Sequence, residues 1–244
     1  MPDGAMEAVE SGTPQGGSIS VLLSNVYLHY VLDLWVEKKM RKQLEGEAHW
    51  VRYLDDFVLC FQYRSDALRG QKLLEERLKS FGLELAPEKT RLIAFGRFAQ
   101  RDAAKQGKRR PETFSFLGFT HYCARNRQGN FKVERRTERK RQQRAAHTLQ
   151  KLIRDRLHAP VHEQQHARNQ SLRGHYNSYG IAGNIQSLLR ISRLTEKLWR
   201  KTLSRRSQDG EVRWEKFQKL TQRFPLVQPK LSITYAGFQA YAKL

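Results

Sequence analysis

The sequence predicts an α+β fold, with an antiparallel sheet and packed helices over residues 1–133 and an α-helical domain over 134–244. Three observations carry this. Two short runs rich in β-branched and aromatic residues, 50–54 and 57–61, flank Asp55-Asp56 and read as a hairpin. Apolar residues after position 134 recur at spacings of three and four over long stretches, the mark of amphipathic helices. The charge also changes along the chain: residues 1–100 carry 13 Lys/Arg and 14 Asp/Glu, whereas 101–244 carry 32 and 10.

The elements follow in order. Gly12-Thr13-Pro14-Gln15-Gly16-Gly17-Ser18 is a Gly/Pro-rich loop that opens a helix of about 18–43. Its apolar part contains Ser20, Ser24, Asn25, His29 and Asp33, which are costly in hydrocarbon, so it reads as a helix buried in a protein core rather than a membrane span. The hairpin occupies about 49–62. Ser65 or Asp66 can cap the next helix, whose Ala67, Gly70, Leu74, Leu78 and Phe81 form one packing face. A strand is expected at 92–95, a basic connector at 97–111, and strands at 113–123 and 130–133 joined by a turn at Gln128-Gly129. Helices are expected from about Glu134, then over 161–180 and 184–206, with a short one around Trp214, Phe217, Leu220 and Phe224.

The net charge is +21, and the excess falls after residue 100, which marks a polyanion-binding face with nucleic acid as the default partner. Cys60 and Cys123 are too few for a disulfide framework or a Cys-based zinc site, which points to a reducing cytoplasm. Cys60 reads as a small core residue in an apolar strand. His158, His162 and His166 share a helical spacing, but Pro160 interrupts it and no acidic or Cys partner is apparent. No signal peptide is visible.

Two adjacent carboxylates at a hairpin tip repel each other and do nothing for a strand. Asp55-Asp56 makes chemical sense where divalent cations neutralise it, since hard cations that handle phosphates take oxygen ligands. The alternative is an ordinary acidic turn. The loop before the first helix lets backbone N–H groups approach a phosphate closely, although Gly-Gly before a helix is often only a turn.

Together, Gly12-Thr13-Pro14-Gln15-Gly16-Gly17, then Ser20-Val21-Leu22-Leu23, Asn25-Val26-Tyr27-Leu28 and Tyr53-Leu54-Asp55-Asp56 resemble the palm of a reverse transcriptase. More narrowly, they look like the group II intron reverse transcriptase/maturase family. The sequence departs at Val21, where the family has Pro, and at Leu54, where Ala is usual. The resemblance continues through Phe81-Gly82-Leu83-Glu84-Leu85-Ala86-Pro87-Glu88-Lys89-Thr90, the primer-grip-like Phe114-Ser115-Phe116-Leu117-Gly118-Phe119, and the thumb-like Leu172-Arg173-Gly174-His175-Tyr176-Asn177-Ser178-Tyr179-Gly180.

The resemblance implies an incomplete reverse-transcriptase palm over 1–133 and a helical thumb/maturase domain over 134–244. It implies RNA-directed DNA polymerisation with two Mg2+ ions, Asp55 and Asp56 as ligands and Lys89 as general acid. Pro14, Gln15, Gly16, Gly17 and Tyr53 would position nucleotide and template, and Leu117 and Gly118 would grip the primer. Arg135, Arg136, Arg139, Lys140, Arg173 and Tyr176 would bind RNA. The implied partners are intron RNA, RNA–DNA hybrid and deoxynucleoside triphosphates, with no membrane. In such a palm a third carboxylate precedes the Gly-rich loop; Asp3, in a Pro-Asp-Gly turn, is not taken for it. The expectation is an N-terminally truncated chain, inactive in polymerisation alone, with a separate N-terminal fragment as a candidate partner. Alternatives are an RNA-binding module that assists splicing and a degenerate fragment.

Overall fold

The apolar run after residue 18 forms helix α1 (Ser18–Leu28), which passes directly into π-helical turns at His29–Asp33 and Val36–Met40 and a 3-10 turn at Arg41–Gln43. The computed structural model describes residues 18–206 and 211–237, and the chain forms two compact units that divide at Ile93/Ala94. The architecture is α+β, with a small antiparallel sheet in each unit.

In the first unit, β1 (Ala48–Tyr53) pairs antiparallel with β2 (Asp56–Phe61), with Trp50 opposite Leu59 and Arg52 opposite Phe57. Strand alternation turns Trp50, Phe57, Leu59 and Phe61 inward onto Val31, Leu32, Val36 and Met40. Helix α2 (Arg64–Lys79) closes this core with Leu74 and Leu78. Gly70 lies where a Cβ would come within 2.6 Å of the Phe61 ring, so the helix can approach the sheet only without a side chain there. Asp66 does not cap α2. Its carboxylate is buried and accepts the N–H groups of Glu45 (3.1 Å) and Gly46 (2.8 Å), fixing the loop before β1.

The first helical run departs from expectation. Its second half is buried, but Ile19, Leu22, Leu23, Val26 and Tyr30 are exposed, because the apolar core that the two strands and α2 build with this helical run begins only at Val31. Ile19–Gln43 is the helical run among the described residues long and apolar enough to cross a membrane. It nevertheless carries Asp33, ion-paired to Arg52. Cys60 is exposed rather than in the core, since it lies on the outer face of β2 opposite His49.

In the second unit, β3 (Phe114–Phe116), β4 (Phe119–Arg125) and β5 (Phe131–Thr137) form a three-stranded antiparallel sheet in that order. Helices α4 (Arg139–Asp155), α5 (Val161–Tyr179), α6 (Ile185–Leu203) and α7 (Trp214–Arg223) follow, near the expected boundaries. Their core gathers Leu149, Leu172, Leu188, Ile191, Trp199 and Phe217. The sheet is tied to the helices by Asn184, which accepts the Thr137 N–H (2.8 Å) and donates to Thr137 Oγ1 (2.8 Å) and the Tyr179 carbonyl (2.9 Å).

Three local expectations are corrected here. Residues 92–95 form no strand; Phe95 instead makes an edge-on contact with Phe114 at 5.1 Å. The 97–111 connector contains helix α3 (Ala99–Lys105). Helix starts at Arg139 rather than Glu134, because β5 stays paired with β4 as far as Thr137.

Candidate active site and nucleic-acid interface

Leu54 and Asp55 make a two-residue turn between β1 and β2, so Asp56 begins β2 opposite Tyr53. Leu54 has φ 58°, a left-handed backbone that a branched side chain adopts at a cost. Asp55 and Asp56 are exposed, and neither carboxylate takes a hydrogen bond or ion pair among the described residues. Tyr53 is exposed beside them on the outer face of the hairpin.

The turn is held from beneath by Arg52. Its Nε and Nη2 donate to the two oxygens of Asp33, both at 2.7 Å, a bidentate pair. Its Nη1 donates to the Leu54 carbonyl (2.8 Å) and to Asn25 Oδ1 (2.9 Å). One guanidinium thus links the helical run, β1 and the strained residue just before Asp55. Burial pushes the Asp33 carboxyl up, but hydrogen bonds and charge from Arg52 and His29 outweigh it and hold the group below its ordinary value. This clamp was missed in the sequence. The available signal was a charge on each of two otherwise inward-facing patterns: Arg52 in the series Ala48, Trp50, Arg52, and Asp33 beside Val31 and Leu32.

The remaining expected residues separate into groups. Pro14, Gln15, Gly16 and Gly17 lie outside the described residues. Lys89 is exposed in a turn whose N–H donates to the Ala86 carbonyl (3.1 Å), and its ammonium makes no ion pair among the described residues. Leu117 (φ 51°) and Gly118 (φ 79°) form the β3–β4 turn, and the Gly118 carbonyl accepts the Glu138 N–H at 2.9 Å, next to the start of α4. Arg135 and Arg136 lie on β5, with Arg136 over the Tyr122 ring at 5.5 Å, while Arg139 and Lys140 open α4 and are exposed. Arg173 is exposed on α5. Tyr176 is not available to RNA: it is buried in the core with Leu172, four residues before it on the same helix face.

Residues 5–121 match a family model described as reverse transcriptase (RNA-dependent DNA polymerase). The match supports placing this segment in the reverse transcriptase family. No curated protein matches the chain. The matched segment runs through the β1–β2 hairpin, α2 and β3 and ends within β4.

Asp55 and Asp56 have the donor chemistry a hard cation takes, with carboxylate oxygens unengaged by the protein. Among the described residues no group of three or more His, Cys, Asp or Glu side chains comes together to hold a metal. The hairpin therefore fits as a partial ligand set, two carboxylates on a turn fixed from below.

Proposed function

We propose that this chain is part of an RNA-directed DNA polymerase of a group II intron, with a palm-type domain over 1–133 and maturase-type RNA binding by 134–244. The observation that supports it best is the pair of unengaged carboxylates, Asp55 and Asp56, on a turn clamped by Arg52. Holding two like charges side by side at a fixed tip gives no stability, and it pre-positions ligands.

In this reading Asp55 and Asp56 would hold Mg2+, which would supply positive charge for the phosphates of a nucleoside triphosphate and for the primer hydroxyl. Arg52 keeps the Leu54 carbonyl, and with it the backbone leading to Asp55, in register. Lys89 donates a proton to the departing pyrophosphate. Pro14, Gln15, Gly16, Gly17 and Tyr53 position nucleotide and template, and Leu117-Gly118 supports the primer end. Arg135, Arg136, Arg139, Lys140 and Arg173 face the phosphates of intron RNA or an RNA–DNA hybrid.

Among the described residues no third carboxylate joins Asp55 and Asp56, and a separate reverse-transcriptase fragment is the candidate to supply one. The test is primer extension on an RNA template with Mg2+ and deoxynucleoside triphosphates. The chain alone is expected to give no product while binding RNA with steep salt dependence. Extension by the pure chain that Asp55→Ala abolishes would overturn the need for an external carboxylate. RNA affinity indifferent to salt would sink the nucleic-acid reading altogether.

The second reading, an RNA-binding module without polymerase activity, draws on the 32 Lys/Arg against 10 Asp/Glu in residues 101–244. It predicts RNA affinity unaltered by Asp55→Ala and no extension under any complementation.

A further inference from the structure

Between α4 and α5 lies a cleft of about 260 Å³, lined among others by Arg141, Arg144, Ser171, Gly174, His175 and Tyr179. Neither Arg141 nor Arg144 has an ion-pair or hydrogen-bond partner among the described residues, and no carboxylate lines the cleft. Two cations on one helix, unopposed over a concavity, attract an anion.

The opposite wall supplies a different chemistry. His175 and Tyr179 are aromatic neighbours with ring centres 4.9 Å apart. The His175 Nε2 atom is buried with no hydrogen-bond partner. Ser171 adds a hydroxyl one helical turn before it. The β3–β4 turn abuts the same residues, since a Cβ on Gly118 would lie 3.5 Å from the Tyr179 ring and 3.8 Å from Arg141 Nε.

Gly174 is the most telling feature. It lies inside a 19-residue helix, where glycine weakens the helix relative to alanine. Nothing among the described residues demands it: a Cβ there would meet none of their atoms within 4 Å, in contrast to Gly70 and Gly180, where one would clash. The space that Gly174 leaves open is space in the cleft.

We propose that the α4–α5 cleft is a binding site for one nucleotide of single-stranded RNA, its phosphate at Arg141 and Arg144, its ribose over Ser171 and Gly174, and its base against Tyr179 and His175. Unstacked bases on aromatic side chains, together with cation-bound phosphates and hydroxyl contacts to ribose, are how proteins take single-stranded RNA. A duplex is too wide to enter a cleft of this size. The proposal rests on the nucleic-acid part of the proposed function and is independent of the polymerase part. It also differs in residues: of the thumb-like motif, it uses Gly174, His175 and Tyr179 rather than Arg173 and Tyr176.

The test uses the full chain, a short labelled oligouridylate and fluorescence anisotropy over a salt series with EDTA present. Arg141→Ala/Arg144→Ala is expected to weaken binding by about tenfold and to lower the salt slope by about 1 to 2. Lys216→Ala/Lys219→Ala removes the same charge from exposed positions of α7, which does not line the cleft, and should change affinity less than about twofold. Gly174→Leu should raise the melting temperature and still weaken binding by about tenfold, a combination that a purely structural glycine cannot give. Gly174→Ala should show the same signs with a smaller loss. Equal losses from the two double variants, or wild-type affinity in Gly174→Leu, would overturn the proposal. If the wild type binds with steep salt dependence while the cleft variants match it, only the cleft fails. If the wild type does not bind RNA at all, the nucleic-acid reading fails with it. Primer extension reports separately on Asp55 and Asp56.

Discussion

The chain contains two tight hairpin turns that begin in the same way and are stabilised differently. Leu54 and Leu117 both take a left-handed backbone at the first turn position. At the β3–β4 turn the next residue is Gly118, with φ 79°, so the second position carries no steric cost and the pair matches the strand twist of a two-residue hairpin. At the β1–β2 turn the next residue is Asp55, and the conformation is held instead by Arg52 on the Leu54 carbonyl. One turn is shaped by its own residues, the other by a side chain that reaches back from the strand. A turn maintained from outside frees its tip to carry charged residues that serve no folding purpose, and that is where Asp55 and Asp56 stand.

The comparison breaks most sharply at Arg52. Arg52→Ala leaves the partly buried Asp33 with His29 alone as a side-chain partner and is expected to destabilise the first unit by about 3 kcal/mol, read by urea denaturation. The equivalent disturbance at the other turn is Gly118→Ala, which places a Cβ at positive φ and is expected to cost about 1 to 2 kcal/mol by the same measurement. Equal costs for the two variants would deny that the turns are stabilised differently.

Acid provides an intermediate test. Asp33 has its folded pKa below the ordinary 3.8, so the clamp contributes fully above that value and loses its contribution as pH falls through the lower folded value. Wild type should lose stability in the first unit below about pH 4, and Arg52→Ala should lose less over the same range. Parallel acid curves would show that Arg52 does not set the Asp33 ionisation.

Smaller effects come from the turn residues themselves. Leu117→Asn creates the Asn-Gly pair that such turns favour and should stabilise by about 0.5 to 1 kcal/mol, raising the melting temperature by a few degrees. Asp55→Asn should leave stability within about 0.5 kcal/mol of wild type, since its carboxylate is exposed and unengaged. A large loss there would mean that Asp55 has a structural task.

Much of this was legible in the sequence because it rests on local signals. Helix α5 at Val161–Tyr179 and α6 at Ile185–Leu203 follow from the spacing of residues such as Leu188, Ile191 and Trp199. The Asp55-Asp56 hairpin follows from two β-rich runs around a turn. What was not legible depended on partners distant in sequence. Whether residues 92–95 become a strand depends on finding a neighbour, and Phe95 finds the Phe114 ring instead. Tyr176 looks like a stacking residue in isolation, yet helix phase places it with Leu172 in the core. Asp66 looks like a helix cap, and is one hydrogen-bonding partner of a loop 20 residues away. The Arg52–Asp33 pair spans 19 residues and no motif marks it.

The exposed stripe of Ile19, Leu22, Leu23, Val26 and Tyr30 has a practical consequence at the bench. Water in contact with that stripe carries a free-energy cost that association at high concentration relieves and dilution restores. The isolated chain should therefore light up an environment-sensitive dye such as ANS in its native state, elute from gel filtration at a volume that shifts with loading, and be easier to handle in low detergent. Yield and shelf life would be governed by these few side chains before Asp55 or Arg141 is ever assayed.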